Sequence, residues 1–109
     1  MNLQLLREFF AQNRSVEYTK HCLTRMMERD ITRADIRKVI MQGEIIEDYP
    51  LDENNTSEKS FPSCLIMGYR DCDNRVIHVV VGFNGSRIIV ISAYYPDSEH
   101  WLYDYKTRR

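Results

Sequence analysis

His21, Arg25 and Arg29 recur at four-residue steps. On a helix of about 3.6 residues per turn, that spacing puts all three on one face. Histidine changes charge near neutral pH, whereas arginine stays charged. One movable proton beside two fixed cations suits a phosphate ester, whose charge must be bound while a proton is transferred. The competing reading is a solvated helix face with Glu17 and Glu28 as ion partners.

His78 lies inside VIHVVV, an otherwise aliphatic run. It reads either as an acid or base facing a cleft or as a core histidine with its hydrogen bonds satisfied. Ser92-Ala93-Tyr94-Tyr95-Pro96 closes the last apolar run. Strand alternation sends Ser92 and Tyr94 to one side and Tyr95 to the other. Tyr94 can give a proton, orient a phosphate or simply close the core. With an ordinary pKa of about 10, a tyrosine is a plausible acid and a poor base at neutral pH.

Other chemistries lack their residues. There is no Gly-rich phosphate loop, no paired-histidine zinc motif and no G-x-S-x-G elbow. Cys22, Cys64 and Cys72 are irregularly spaced and form no C-x-x-C pair. Free, buried or half-buried thiols in a reducing cytoplasm are expected, in preference to disulfides or to zinc held with His21 or His78. The sequence therefore calls for no metal and no cofactor.

The elements that must hold these residues follow from periodicity. Leu3, Leu6 and Phe10, widened by Leu5 and Phe9, predict an amphipathic helix over about 2–12. Leu23, Met26 and Met27, with Cys22 beside them, predict a second helix over about 19–29 with the His21 face turned outward. Thr32 with Asp35 three residues on predicts an N-cap, and a third helix runs over about 32–42, with Ile36, Val39 and Ile40 inward. Gly43 is expected to supply a left-handed stop. The period then changes to two. EIIEDYP, SCLIMGYR, RVIHVVVGF and RIIVISAYY predict four antiparallel strands, the last two apolar on both faces and hence central. Asn84-Gly85 signals a hairpin with both central residues at positive φ. LDENNTSEKSFP reads as a mobile loop over about 52–60, and the tail is expected to pack Trp101 and Tyr105 back onto the domain. The expected class is α+β, with helices first and a four-stranded antiparallel meander after them.

At 109 residues there is room for one core, and 43% hydrophobic with 28% charged residues fits a folded chain. No apolar run approaches the roughly 20 residues that span a bilayer, and Arg7 and Glu8 argue against a signal peptide. The net charge of −1 gives the whole molecule no pull toward phosphate. The charge is uneven, however. Arg14 to Lys38 holds seven basic and four acidic residues, whereas Glu44 to Glu58 holds six acidic and no basic ones. The helices around Asp30-Ile31 also imitate helix-turn-helix, with Arg33, Arg37 and Lys38 as contacts, but a sheet follows where a third helix belongs.

YTKHCLTRMMERDITRADIRKVIMQGEIIEDYP, SCLIMGYR, RVIHVVVGF and IIVISAYYPDSEHW with the closing RR resemble, in that order, the bacterial family described as domain of unknown function 4258. The resemblance covers about residues 17–109 and leaves 1–16 as an N-terminal helix and connector within one overall domain. Ser92 departs from it, since threonine is common at that place. The resemblance implies the small fold of the RelE and ParE plasmid toxins, shared with barnase-like and colicin-like ribonucleases. It implies metal-independent RNA cleavage, RNA and an antitoxin protein as partners, and a cytoplasmic setting. The matching positions are His21, Arg25, His78 and Tyr94 as catalytic residues and Arg29 as substrate-binding. The expected reaction is transesterification by the ribose 2′-hydroxyl. The alternative is a non-catalytic protein-binding module on the same scaffold.

Overall fold

The computed structural model describes residues 1–12, 16–49 and 62–109. The chain runs α1 (Leu3–Ala11), β1 (Val16–Tyr18), α2 (Lys20–Arg29), α3 (Arg33–Gln42), β2 (Glu44–Tyr49), β3 (Ser63–Tyr69), β4 (Val76–Phe83) and β5 (Ile88–Tyr94). The three helices stand where the apolar stripes put them. Thr32 caps α3 as expected. Its Oγ1 accepts from the Asp35 amide, and the Asp35 carboxylate accepts from the Thr32 amide.

The sheet order is β1-β5-β4-β3-β2. Strands β2 to β5 form the expected antiparallel meander; β4 and β5 are internal to the sheet as expected, β5 only because β1 pairs with its outer edge. The expected count of four is corrected to five. Val16–Tyr18 adds an edge strand that runs parallel to β5, so the sheet is mixed. Three residues are too few to show alternation, and their partner lies some seventy positions away in the chain. The loop expected over 52–60 lies outside the described residues.

One core fills the space between the helices and one face of the sheet. Leu6, Phe10, Met26, Ile36, Val39 and Ile40 come from the helices, and Ile66, Val79, Val81 and Val90 are among those the sheet supplies. Leu6 and Phe10 tie α1 into this core. Arg7 secures it further by donating from Nε to the Ile40 carbonyl (2.8 Å) and from a terminal nitrogen to the Gly43 carbonyl (2.6 Å). That places a cation on the open carbonyls at the end of α3.

Three local expectations need correction. Gly43 is extended, at φ −80°, and not left-handed. Its requirement is space: a Cβ there would lie 2.4 Å from both the Met67 and the Val39 carbonyl oxygens. The left-handed stop is at Asp30 instead, φ 55°, after α2. In the β4–β5 hairpin only Gly85 has positive φ, at 96°. Asn84 instead accepts on Oδ1 from the Ser86 and Arg87 amides, so its side chain shapes the turn. Finally, α2 buries only Cys22 and Met26, leaving Leu23 38% and Met27 86% exposed. A helix at the sheet margin touches the sheet along a narrower stripe than one lying across its middle.

Candidate functional site

The placement of α2 begins at Thr19. Its amide donates to the Val90 carbonyl (3.1 Å) and its hydroxyl to the Ile91 carbonyl (2.7 Å). The same hydroxyl accepts from the Cys22 amide as the N-cap of α2. The helix is thus pinned to β5 by its own cap. The anchor coincides with a β-bulge: Val80 pairs with Ser92 and Val81 with Val90, so Ile91 is the extra residue. Beyond the bulge Ala93 is buried toward the helices, while Ser92 and Tyr94 share the face of Val80 and His78.

Between α2 and the end of β5 lies an open cleft of about 270 Å³, lined by His21, Arg25, Arg29, Ser92, Tyr94, Tyr95 and Asp97. Four of the five residues singled out by spacing meet there: His21, Arg25, Arg29 and Tyr94. Arg25 pairs with Glu28 at 3.2 Å, the ion partner expected of a solvated face. Glu17, the other expected partner, pairs with Arg87 at 2.7 Å across the sheet edge. Among the described residues the side chains of His21 and Arg29 form no hydrogen bond or ion pair. Asp97, the carboxylate of the cleft, is engaged by the His100 ring at 2.8 Å.

His78 is placed apart from the other four. It is 0% exposed, on the sheet face turned away from the helices. Leu65 and Met67 are buried on that face with it, since Met67 pairs with His78 and Leu65 with Val80. The C-terminal tail covers them. Trp101 is buried with its ring edge-on to His78, centroids 4.5 Å apart. Arg108 stacks on Trp101 and reaches Glu47 of β2 with two hydrogen bonds of 2.7 and 2.9 Å. The tail does this without a helix or a strand of its own, as turns closed by a single Trp101–Arg108 bridge.

The protonation of His78 follows from its partners. Nε2 lies 2.7 Å from the Tyr105 carbonyl, which can only accept, so Nε2 carries the hydrogen. Burial lowers the imidazole pKa, which leaves the ring neutral and Nδ1 a bare acceptor. Nδ1 is 3.3 Å from the Tyr94 hydroxyl, which therefore donates to it. Burial also raises the Tyr94 pKa. Tyr94 thus lines the cleft while its proton points away toward His78.

Two cysteines are buried and Cys72 is exposed, so the expectation of three buried or half-buried thiols holds for Cys22 and Cys64 alone. Burial pushes the Cys64 thiol up to about 11. Cys72 accepts from Arg70 Nε at 2.9 Å. No group of three or more His, Cys, Asp or Glu among the described residues is arranged to hold a metal ion. In the helix-turn-helix imitation, α3 is packed down by Ile36, Val39 and Ile40. Its Arg33 and Arg37 stack on Tyr18 and Phe10, while Lys38 pairs with Asp71 at 3.4 Å.

Fold and site together define a small mixed α+β protein with a cation-lined cleft at one end of its sheet. Residues 18–95 match the model of the family described as Domain of unknown function (DUF4258), and the chain belongs to that family. The match spans α2 to the end of β5, a shorter stretch than the resemblance over 17–109 suggested, and includes neither α1 nor the tail. No curated protein and no solved structure matches the chain. No described helix is long and apolar enough to cross a membrane.

Sequence reasoning missed Thr19 and Ile91, which fix α2 on β5, and Asp97 in the cleft. A threonine before a helix signals a cap. Nothing in sequence signals a bulge within an apolar strand.

Proposed function

We propose that the cleft binds the phosphodiester of RNA and cleaves it without metal, by attack of the ribose 2′-hydroxyl on its own phosphorus. The observation that supports this reading best is the opening of His21, Arg25 and Arg29 onto one cleft beside Tyr94. His21 takes the 2′ proton as the oxygen bonds to phosphorus. Arg25 and Arg29 bind the charge that gathers on the phosphorane oxygens, and such charge stabilisation is usually what lowers the barrier most. The bond from phosphorus to the 5′ oxygen breaks, and that oxygen takes the proton His21 has received. The products are a 2′,3′-cyclic phosphate and a 5′-hydroxyl. Tyr94 forms part of the cleft wall and takes no part in proton transfer, because its proton is held by His78. His78 acts through Tyr94 as a positioning residue.

Likeness to the RelE and ParE toxins, a cytoplasmic setting and silencing by an antitoxin protein belong to this same proposal. The test is incubation of purified protein with RNA, with and without chelator and ribosomes. Cyclic-phosphate ends that persist in chelator are the expected result. RNA left intact under all conditions overturns the reading.

One observation favours a second reading, a protein-binding module without chemistry. Leu23 and Met27 leave apolar surface exposed on α2. On that reading Met27→Lys abolishes a protein complex, and Arg25→Ala leaves RNA untouched because wild type does too.

A further inference from the structure

The cleft does not end at Arg29. A second opening of about 530 Å³ lies on the other side of that residue, between the end of α2, Arg70 after β3 and Arg75 before β4. Arg29 and Tyr95 line both openings, so the two are neighbours with a common wall.

The residues of the second opening divide into a frame and a free charge. Tyr95 is frame: its hydroxyl donates to the Arg29 carbonyl at 3.0 Å and receives an Arg70 terminal nitrogen. Arg70 is frame as well, since it also holds Cys72 at 2.9 Å and Asp73 at 3.4 Å. Arg75 is different. Its guanidinium carbon sits 3.7 Å from the centroid of the Tyr95 ring. The stack fixes the plane of the cation while leaving its N–H groups unspent, and it forms no ion pair among the described residues. Arg29, exposed and likewise unpaired among them, stands across the shared wall. Three guanidiniums face two carboxylates here, Glu28 and Asp30, and Glu28 is turned to Arg25. The unspent charge is therefore cationic and held at a fixed place.

We propose that Arg75, stacked on Tyr95, forms a second phosphate subsite next to the first, with Arg29 between them. The substrate is then a single strand of RNA bound across at least two successive phosphates, and not a nucleotide or a lone phosphate ester. A single strand suits the cleavage step better than a double helix, because its flexible backbone can bring the 2′-oxygen in line with the phosphorus it attacks. This inference rests on the phosphodiester reading of the cleft and extends it to a substrate class.

The test separates binding from cleavage. Fluorescein-labelled 2′-O-methyl oligonucleotides with one, two and four phosphates lack the attacking hydroxyl, so binding alone is read by anisotropy. For wild type, affinity rises about tenfold from one phosphate to two, and the salt slope steepens by about 0.7 for the added contact. Arg75→Ala abolishes that rise and leaves the one-phosphate probe bound as before. Arg75→Lys, which keeps the charge and loses the planar stack, restores part of it. Arg75 is exposed, so these variants fold, as a thermal melt checks. Equal wild-type affinity for one and two phosphates, or a rise unchanged in Arg75→Ala, overturns the subsite while leaving the cleavage proposal standing. No binding to any probe overturns both. A length-dependent, Arg75-dependent affinity in a protein that leaves all-ribose RNA intact keeps the subsite and removes the ribonuclease.

Discussion

His21 and His78 are the same residue type placed under opposite conditions. His78 is sealed between the sheet and Trp101, and each ring nitrogen has a partner, Tyr105 on one side and Tyr94 on the other. His21 stands at an open cleft and spends neither nitrogen on the described residues. The cations divide the same way. Arg108 is committed to Glu47 and Trp101, whereas Arg29 is committed to nothing described. A buried polar group must find its partners inside the protein or cost stability. An exposed cluster of cations with few internal partners is repaid by no packing, so its use lies in what it meets from outside. The tail-covered face therefore holds structure, and the α2–β5 cleft is where the proposed chemistry would take place.

The largest expected effect tests the covered face. Trp101→Ala should cost about 3 to 5 kcal/mol in urea unfolding, the usual range for emptying a buried aromatic site. A loss below about 1 kcal/mol would mean that the tail only rests on the sheet. The reverse pattern is expected in the cleft. Arg25→Ala should lower RNA cleavage by about 10²- to 10³-fold, as for other charge-binding donors. Its melting temperature should barely move, because the exposed Arg25–Glu28 pair is worth at most about 1 kcal/mol. If Arg25→Ala unfolds the domain instead, the arginine belongs with the structural set and the contrast collapses.

The third prediction uses pH. Burial holds the His78 pKa below the ordinary histidine value of about 6.5. Between these two values the unfolded chain binds a proton that the folded chain refuses. The His78 contribution is therefore complete above about 6.5 and declines as pH falls toward the folded value. His78→Gln cannot titrate and still offers the Tyr105 carbonyl a donor. Its stability should fall less steeply than wild type between about pH 7 and 5, read by denaturant midpoints. Identical slopes would show that the ring titrates freely.

The smallest effect concerns the strap over the covered face. Hydrogen bonding from Arg108 lowers the Glu47 pKa, so this pair contributes above the ordinary carboxylate value and is lost as pH falls through the folded one. Arg108→Ala should cost about 1 kcal/mol or less at neutral pH, in keeping with an exposed pair. It should have no effect on RNA cleavage, and a large effect there would join the two regions that the geometry separates.

Local rules reached far in this chain. The stripe Leu3, Leu6, Phe10 gave α1, Thr32 with Asp35 gave the cap of α3, and the change of period after Gly43 gave the meander. The four-residue steps of His21, Arg25 and Arg29 put one polar face on α2. Those features depend on residues a few positions apart, and short-range geometry is encoded directly in spacing. Tertiary structure alone decided which of these residues stay free. It pairs Val16–Tyr18 with a strand some seventy residues away and bulges β5 at Ile91. It hooks Thr19 to that bulge, so that α2 stands over a strand end and leaves Met27 in solvent. It also folds Trp101 over His78. A histidine in VIHVVV and a histidine before Arg25 look equally able to do chemistry on paper. Only the contacts made by distant segments bury one and leave the other open, because burial and desolvation depend on what packs nearby and not on the neighbours in sequence.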